Sequence, residues 1–228
     1  MHESEVDEPL SEQAVQEGLP ATSFGCELRC LNIVGSTNDT AREWAKAGVP
    51  EGAVVTAEEQ AAGRGREGRP WHCPRGKGLL FSVVLRPSCP AREAGCIAAV
   101  MSIGAANAII THTALPVRVK PPNDIMLHGR KLGGILVESQ LQGERVVYAV
   151  AGLGINVNGS ADDFPAELCD QVITIETALG RPLQRAPLLR RLLEDLESAW
   201  ATLASAGWVG LGQRWEELIA GEFDGRTL

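Results

Sequence analysis

Between Pro116 and Asn156 the chain breaks into four short β-rich runs: Val117–Lys120, Ile125–Leu127, Gly134–Gln140 and Val146–Ile155. Pro, Gly, Asn and Asp separate them, and Gln142-Gly143 supplies a tight turn between the last two. The pattern predicts neighbouring antiparallel strands. Ala53–Thr56 and Leu79–Arg86 extend the strand set upstream. Helical signals surround it. Ser36-Thr37-Asn38 offers capping residues ahead of Asp39–Ala47, with Gly48 as a stop. Pro90 opens an Ala-rich stretch to about Ala114 that suits a long buried helix. Leu188, Leu189, Leu192, Leu193, Leu196 and Leu203 repeat at helical spacing within Pro187–Ala206, and Gly210–Ala220 suits another helix. There is no internal repeat. The expected class is α+β, a mixed, largely antiparallel sheet flanked by helices.

Charge narrows the function. The 228 residues carry a net −8, but residues 1–20 hold six acids and no Lys or Arg, leaving −2 on residues 21–228. Residues 1–20 therefore read as a disordered acidic leader. An acidic chain with a single aromatic, Trp71, in its most basic segment argues against nucleic acid as a partner. The start Met-His-Glu-Ser lacks the basic and apolar parts of a secretory signal, and no run reaches the roughly 18 apolar residues of a membrane span. Six cysteines without a Cys-x-x-Cys spacing read as reduced, small apolar residues. The expectation is a cytoplasmic protein with no membrane partner.

Three segments gather chemistry. Residues 61–78 form a Gly/Arg loop in which Arg64, Arg66, Arg69, Arg75 and Lys77 face Glu67 alone, a local +4 from Gly63 to Gly78. Its glycines free the backbone to approach a ligand, and its guanidinium groups suit carboxylate or phosphate. By composition it is either an anion-closing loop or a solvated surface loop. The Walker spacing is absent. In the second segment, Lys120-Pro121-Pro122-Asn123-Asp124, the prolines stiffen a corner that presents Asn123 and Asp124. That pair either serves Mg²⁺ and polyphosphate or simply makes the turn. Lys131, just before a strand, is placed to neutralise charge developing on an oxygen. The third segment is Gly152-Leu153-Gly154-Ile155-Asn156, whose glycines leave room for a ligand or for sheet–helix packing.

In this order the residues closely resemble one family. Ser36-Thr37-Asn38, Glu59-Gln60-Ala61-Ala62-Gly63-Arg64-Gly65-Arg66, Lys120 with Pro122-Asn123-Asp124, Lys131-Leu132 with Gly134-Ile135-Leu136, and Gly154-Ile155-Asn156 match the motif set of biotin protein ligases (biotin–[acetyl-CoA-carboxylase] ligases). The resemblance covers roughly residues 30–220. It implies a catalytic domain at 21–220 with the biotin–lipoate ligase fold, related to class II aminoacyl-tRNA synthetases. It implies that biotin and ATP, with Mg²⁺, give biotinyl-5′-AMP, and that a lysine of a biotin carboxyl carrier protein then takes the biotin. Biotin contacts are implied for Ser36, Thr37, Asn38, Gln60, Gly63, Arg64, Lys131, Gly134, Gly152, Gly154 and Ile155. Arg64, Arg66 and Arg69 would close over the adenylate, with Trp71 on the adenine side. Asn123, Asp124 and Asn156 would serve the phosphates, and Asp124 the metal. Lys131, Arg64 and Arg66 are the implied catalytic residues.

Two departures stand out. Pro121 replaces the family's usual Trp, which predicts altered nucleotide affinity. Residues 221–228 read as a remnant or first strand of a C-terminal β-barrel that is otherwise missing, and the leader has no helix-turn-helix. A homodimer through an exposed sheet edge stays open. The Gly-Arg-Gly-Arg loop lacks the Arg-Arg-x-Ser-Gly-Gly-Gly pattern of lipoate enzymes, the nearest alternative of the same fold. A ligase fold that binds without turnover is the other.

Overall fold

Strand parity sorts the apolar residues onto two faces of one sheet. A computed structural model of the chain describes residues 8–21, 23–88, 90 and 94–219. Its strands are β1 (Leu28–Val34), β2 (Val54–Gln60), β3 (Gly78–Leu85), β4 (Arg118–Lys120), β5 (Asp124–Leu127), β6 (Arg130–Gln142) and β7 (Arg145–Asn156). They lie in the order β1-β2-β3-β7-β6-β5-β4. β1 and β2 are parallel, joined by helix α2 (Thr37–Lys46), and every other pairing is antiparallel. A parallel pair needs such a crossover, whereas Gly143 (φ 59°) closes the β6–β7 hairpin directly.

One face packs on two long helices, α3 (Cys96–Thr113) and α5 (Arg185–Ala206). Leu79, Phe81, Val83 and Leu85 of β3 point there, as do Ala149, Ala151, Leu153 and Ile155 of β7. The alternate residues Val84, Tyr148 and Val150 meet Ala41 and Ala45 of α2 on the other face. The period of two thus decides which residues are core and which can line a site. α4 (Ile175–Leu179) and α6 (Val209–Ile219) complete the set.

By length and composition α3, with 18 residues and mean hydropathy 1.5, could cross a membrane. The expectation that no run reaches that length is corrected here. Its burial explains the composition: Gly104 lies so close to α5 that a Cβ would sit 2.8 Å from Leu196 Cα. Gly104→Ala is therefore expected to destabilise the fold by about 1–2 kcal/mol, overpacking outweighing the gain in helix propensity. Urea unfolding should show a lower midpoint with an unchanged slope.

The leader is also corrected. Residues 1–7 lie outside the described residues, but 8–20 are ordered. Leu10 and Val15 are buried in the core, and Ser11 caps a short helix, α1 (Glu12–Gln16), by accepting from Ala14 N. Arg190 donates to the carbonyls of Ala14 and Val15, while Leu10 N donates to Glu58 Oε1 at 2.8 Å. The backbone of this segment is met by partners far along the chain, which a local charge reading does not see. The expected strand remnant at 221–228 lies outside the described residues.

Candidate active site

On the α2 face of the sheet lies a cleft of about 750 Å³. Register places Gly134 of β6 beside Gly154 of β7, Leu136 beside Gly152, and Ser82 of β3 on the other side of Gly152. The glycines make a bare backbone floor. Asn38 rests on Gly152 so closely that a Cβ there would collide with its Oδ1. Thr37 donates from its backbone N and Oγ1 to Gln60 Oε1 (2.8 and 3.0 Å). Ser82 Oγ lies 2.8 Å from Thr37 Oγ1 and 2.7 Å from Asn38 Oδ1, and Asn38 Nδ2 donates to Glu138 Oε2. With Ser36, Thr37 and Asn38 all buried, the first turn of α2 is locked to the floor.

The Gly/Arg loop folds back as a hairpin flap. Trp71 N donates to Gly63 O at 2.9 Å and Gly65 N to Arg69 O at 2.7 Å, with left-handed Gly68 (φ 72°) near its tip. Arg64 makes a bidentate pair with Asp39 (2.8 and 2.7 Å). Arg42 bonds Asp39 at 3.0 Å and Glu138 at 2.9 Å. The hydrogen bond from Arg64 is the main cause that holds the Asp39 carboxyl below the usual aspartate range, against the opposing effect of partial burial. The clamp is complete at every pH above that usual range and is lost only as pH falls through the lowered value. Arg66 reaches toward Asn123 Oδ1 at 3.5 Å, and exposed Arg69 pairs with Glu67.

At the far end, Asn123 Nδ2 donates to Ile135 O, and Asp124 opens β5 with Oδ1 2.7 Å from Lys131 Nζ. Lys131 is fixed by its backbone: its N donates to Gln171 O and its O accepts from Ile173 N. Asn156 is 3% exposed, and its Oδ1 has no hydrogen-bond partner among the described residues. A buried acceptor of this kind is costly unless a donor or cation meets it. Among the described residues no group of three or more His, Cys, Asp or Glu could hold a metal unaided. One carboxylate and an amide oxygen fit Mg²⁺ only when it arrives with phosphate oxygens.

The cleft brings together most of the residues read from sequence, with two corrections. Ile155 does not face it: parity turns its side chain into the α3/α5 core. Gly63 sits at the base of the flap against Gln60 and the Trp71 carbonyl rather than on the cleft wall. Trp71 lies on the glycine floor, against Gly154 and Gly134 with Lys131 Nζ 5.6 Å from its ring centroid. Its Nε1 is buried without a partner among the described residues. Asp39, Arg42, Ser82 and Glu138 were missed. The signal available was Asp39 itself, a carboxylate adjoining the Ser-Thr-Asn motif and three residues before Arg42.

Cys73 ends the flap region under Gly78, where burial pushes its thiol up to about 12. It is no nucleophile at neutral pH. Iodoacetamide at pH 8 should leave Cys73 unlabelled in the folded chain, as read by peptide mapping; rapid labelling would contradict this burial.

The Biotin/lipoate A/B protein ligase family matches residues 31–156. The chain is 34% identical over 212 residues to the bifunctional ligase/repressor BirA of Bacillus spizizenii, covering 93% of this chain and 65% of that protein. It thus spans slightly under two thirds of that relative's length. It is 38% identical over 183 residues to the biotin–[acetyl-CoA-carboxylase] ligase of Paracoccus denitrificans, covering 79% of this chain and 75% of that one. The Aquifex aeolicus biotin protein ligase solved with biotin and ATP superposes with TM-score 0.74 at 27% identity, covering 85% and 78% of the two chains. The family match over more than half of the chain and the identity to these relatives show that the chain belongs to the biotin/lipoate A/B protein ligase family.

Proposed function

We propose that the chain is an ATP-dependent biotin protein ligase of the cytoplasm, acting on a biotin carboxyl carrier protein such as that of acetyl-CoA carboxylase. The observation that carries this is the joining, in one cleft, of a glycine floor, a fixed lysine at one end and an arginine-bearing flap above. In the first step a biotin carboxylate oxygen attacks the α-phosphorus of ATP, the bond to the bridging oxygen breaks, and pyrophosphate leaves. In the second a carrier lysine amine attacks the acyl carbon, the amide forms, AMP leaves, and the amine's proton passes to solvent. Neither step needs a protein nucleophile, so positioning and charge stabilisation must supply the rate.

The floor residues Ser36, Thr37, Asn38 and Gln60 suit the polar end of biotin, and Gly134, Gly152 and Gly154 its body. Trp71 walls the acyl slot beside Lys131, which stabilises charge at the carboxyl and α-phosphate. Arg64, Arg66 and Arg69 close over the adenylate. Asn123, Asp124 and Asn156 would hold Mg²⁺ with the nucleotide, where the ion neutralises phosphate charge. The relatives named as biotin ligases and the loop Gly-Arg-Gly-Arg-x-Gly-Arg-x-Trp favour biotin over lipoate.

Transfer of labelled biotin from ATP and biotin onto a purified carrier domain tests the reading. Label on the wild-type carrier and none on a carrier whose target lysine is changed is the expected result. Label from lipoate alone would overturn it. Arg66→Gly should loosen the flap and raise the amount of free biotinyl-AMP in solution about tenfold, since charge-assisted contacts to phosphate are worth about 1.5–3 kcal/mol. Unchanged retention would remove Arg66 from flap closure.

A further inference from the structure

The flap Gly63–Trp71 is a small hairpin whose own backbone contacts run between Gly63 and Trp71, Gly65 and Arg69, and Arg64 and Pro70. Its attitude over the cleft must be set from outside. Polar side-chain tethers cross to the body, chiefly Arg66 to Asn123 at 3.5 Å and Arg64 to Asp39 through two bonds of 2.8 and 2.7 Å. The second is far the stronger, being bidentate and charge-assisted.

Asp39 stands in the first turn of α2, directly after the buried Thr37 and Asn38 that are bonded to the floor. Any displacement of Asp39 relative to the floor would break those bonds. An arginine held by Asp39 is therefore held relative to the ligand slot. The site is also balanced: Arg42 bonds both Asp39 and Glu138, Glu138 lies 4.0 Å from Arg64, and it accepts from Asn38. An isolated pair with side chains 35% and 43% exposed would do little, but a bidentate pair inside a four-charge network is the case where exposed charges fix geometry.

We infer that Asp39 is a positioning residue, which through Arg64 holds the flap in register with the floor and so retains the activated adenylate. This rests on the ligase reading for the ligand, but not for the clamp itself. Asp39 does not line the cleft. Its effect should fall on the flap-covered nucleotide half and spare the floor-bound acyl half.

The test compares the wild-type chain with Asp39→Asn, Asp39→Glu and Arg42→Gln. Two readings are taken: tryptic cleavage after Arg64 by peptide mapping, and release of biotinyl-AMP with KM for ATP and for biotin. Asp39→Asn should speed cleavage after Arg64 and adenylate release each by about 5- to 10-fold, the loss of one charge-assisted pair partly screened by solvent. KM for ATP should rise while KM for biotin and the melting temperature stay within about twofold and about 2 °C of wild type. Asp39→Glu should recover much of both, and Arg42→Gln, which leaves the Arg64 pair intact but removes one charge of the network, should fall between wild type and Asp39→Asn. Cleavage and release unchanged in Asp39→Asn would overturn the inference. So would a parallel rise of both KM values with a lowered melting temperature, which marks a merely structural role. A wild-type chain that forms no adenylate would sink the ligase reading, while the cleavage ratio would still decide the clamp.

Discussion

Lys131→Ala should slow biotin-dependent exchange of pyrophosphate into ATP by about 100- to 1,000-fold, the usual cost of removing a preorganised charge from a developing oxyanion. The ammonium group is held by geometry rather than by chance. Its backbone is tied at both N and O to the segment 171–173, its Nζ lies 2.7 Å from Asp124 Oδ1, and it stands over the Trp71 ring. Alanine removes the cation and leaves Asp124 in the cleft without its 2.7 Å ammonium partner. Lys131→Arg keeps charge but replaces a compact ammonium by a larger planar fork, so partial activity is expected. Steady-state exchange with circular dichroism as a folding control checks both. Near-normal exchange by the alanine variant would take Lys131 out of the site.

The largest stability effect should come from Arg185→Leu, at about 3–5 kcal/mol, the range for breaking one side of a buried ion pair. Arg185 is 1% exposed and bonds Glu58 Oε2 at 2.7 Å, with further bonds to the carbonyls of Gly78 and Glu8. Glu58 in turn accepts from Leu10 N and, through its own carbonyl, from Gly76 N. One pair thus joins α5, β2, the end of the flap region and the N-terminal segment. Without the guanidinium, Glu58 is a buried charge whose partner among the described residues is the Leu10 amide. Against a typical total of about 5–15 kcal/mol, the loss would place much of the chain near its unfolding midpoint at body temperature. Glu58→Gln, which keeps an acceptor for Leu10 N, should cost less. Chemical denaturation of both variants measures the difference; an Arg185→Leu midpoint close to wild type would show that the pair contributes little.

The two predictions mark what a linear reading can and cannot see. Lys131 was legible because Lys-Leu-x-Gly-Ile-Leu is local, and so were α5 from its leucines at helical spacing, α3 from an Ala-rich run opened by Pro90, and β3 and β7 from short apolar runs bounded by turn residues. β1 was not read, since an edge strand with burial mixed along Leu-Arg-Cys-Leu-Asn-Ile-Val shows no clean alternation. The ordered segment 8–20 was hidden because its backbone carbonyls find Arg185 and Arg190 over 170 residues away. Asp39 and Arg64 lie 25 residues apart, joined by a flap whose fold-back no composition reveals. Ile155 was the avoidable error: parity along β7 already separates it from Gly152 and Gly154. Trp71 was placed by analogy, and only the hairpin geometry lays it on the floor.

The most direct measurement is exchange of labelled pyrophosphate into ATP by the purified chain, with biotin, lipoate or no acid added and no carrier present. The account predicts exchange that requires biotin and is absent with lipoate or without acid, because the slot walled by Trp71 and ended by Lys131 activates that carboxylate. Exchange with lipoate but not biotin, or none with either, would contradict it.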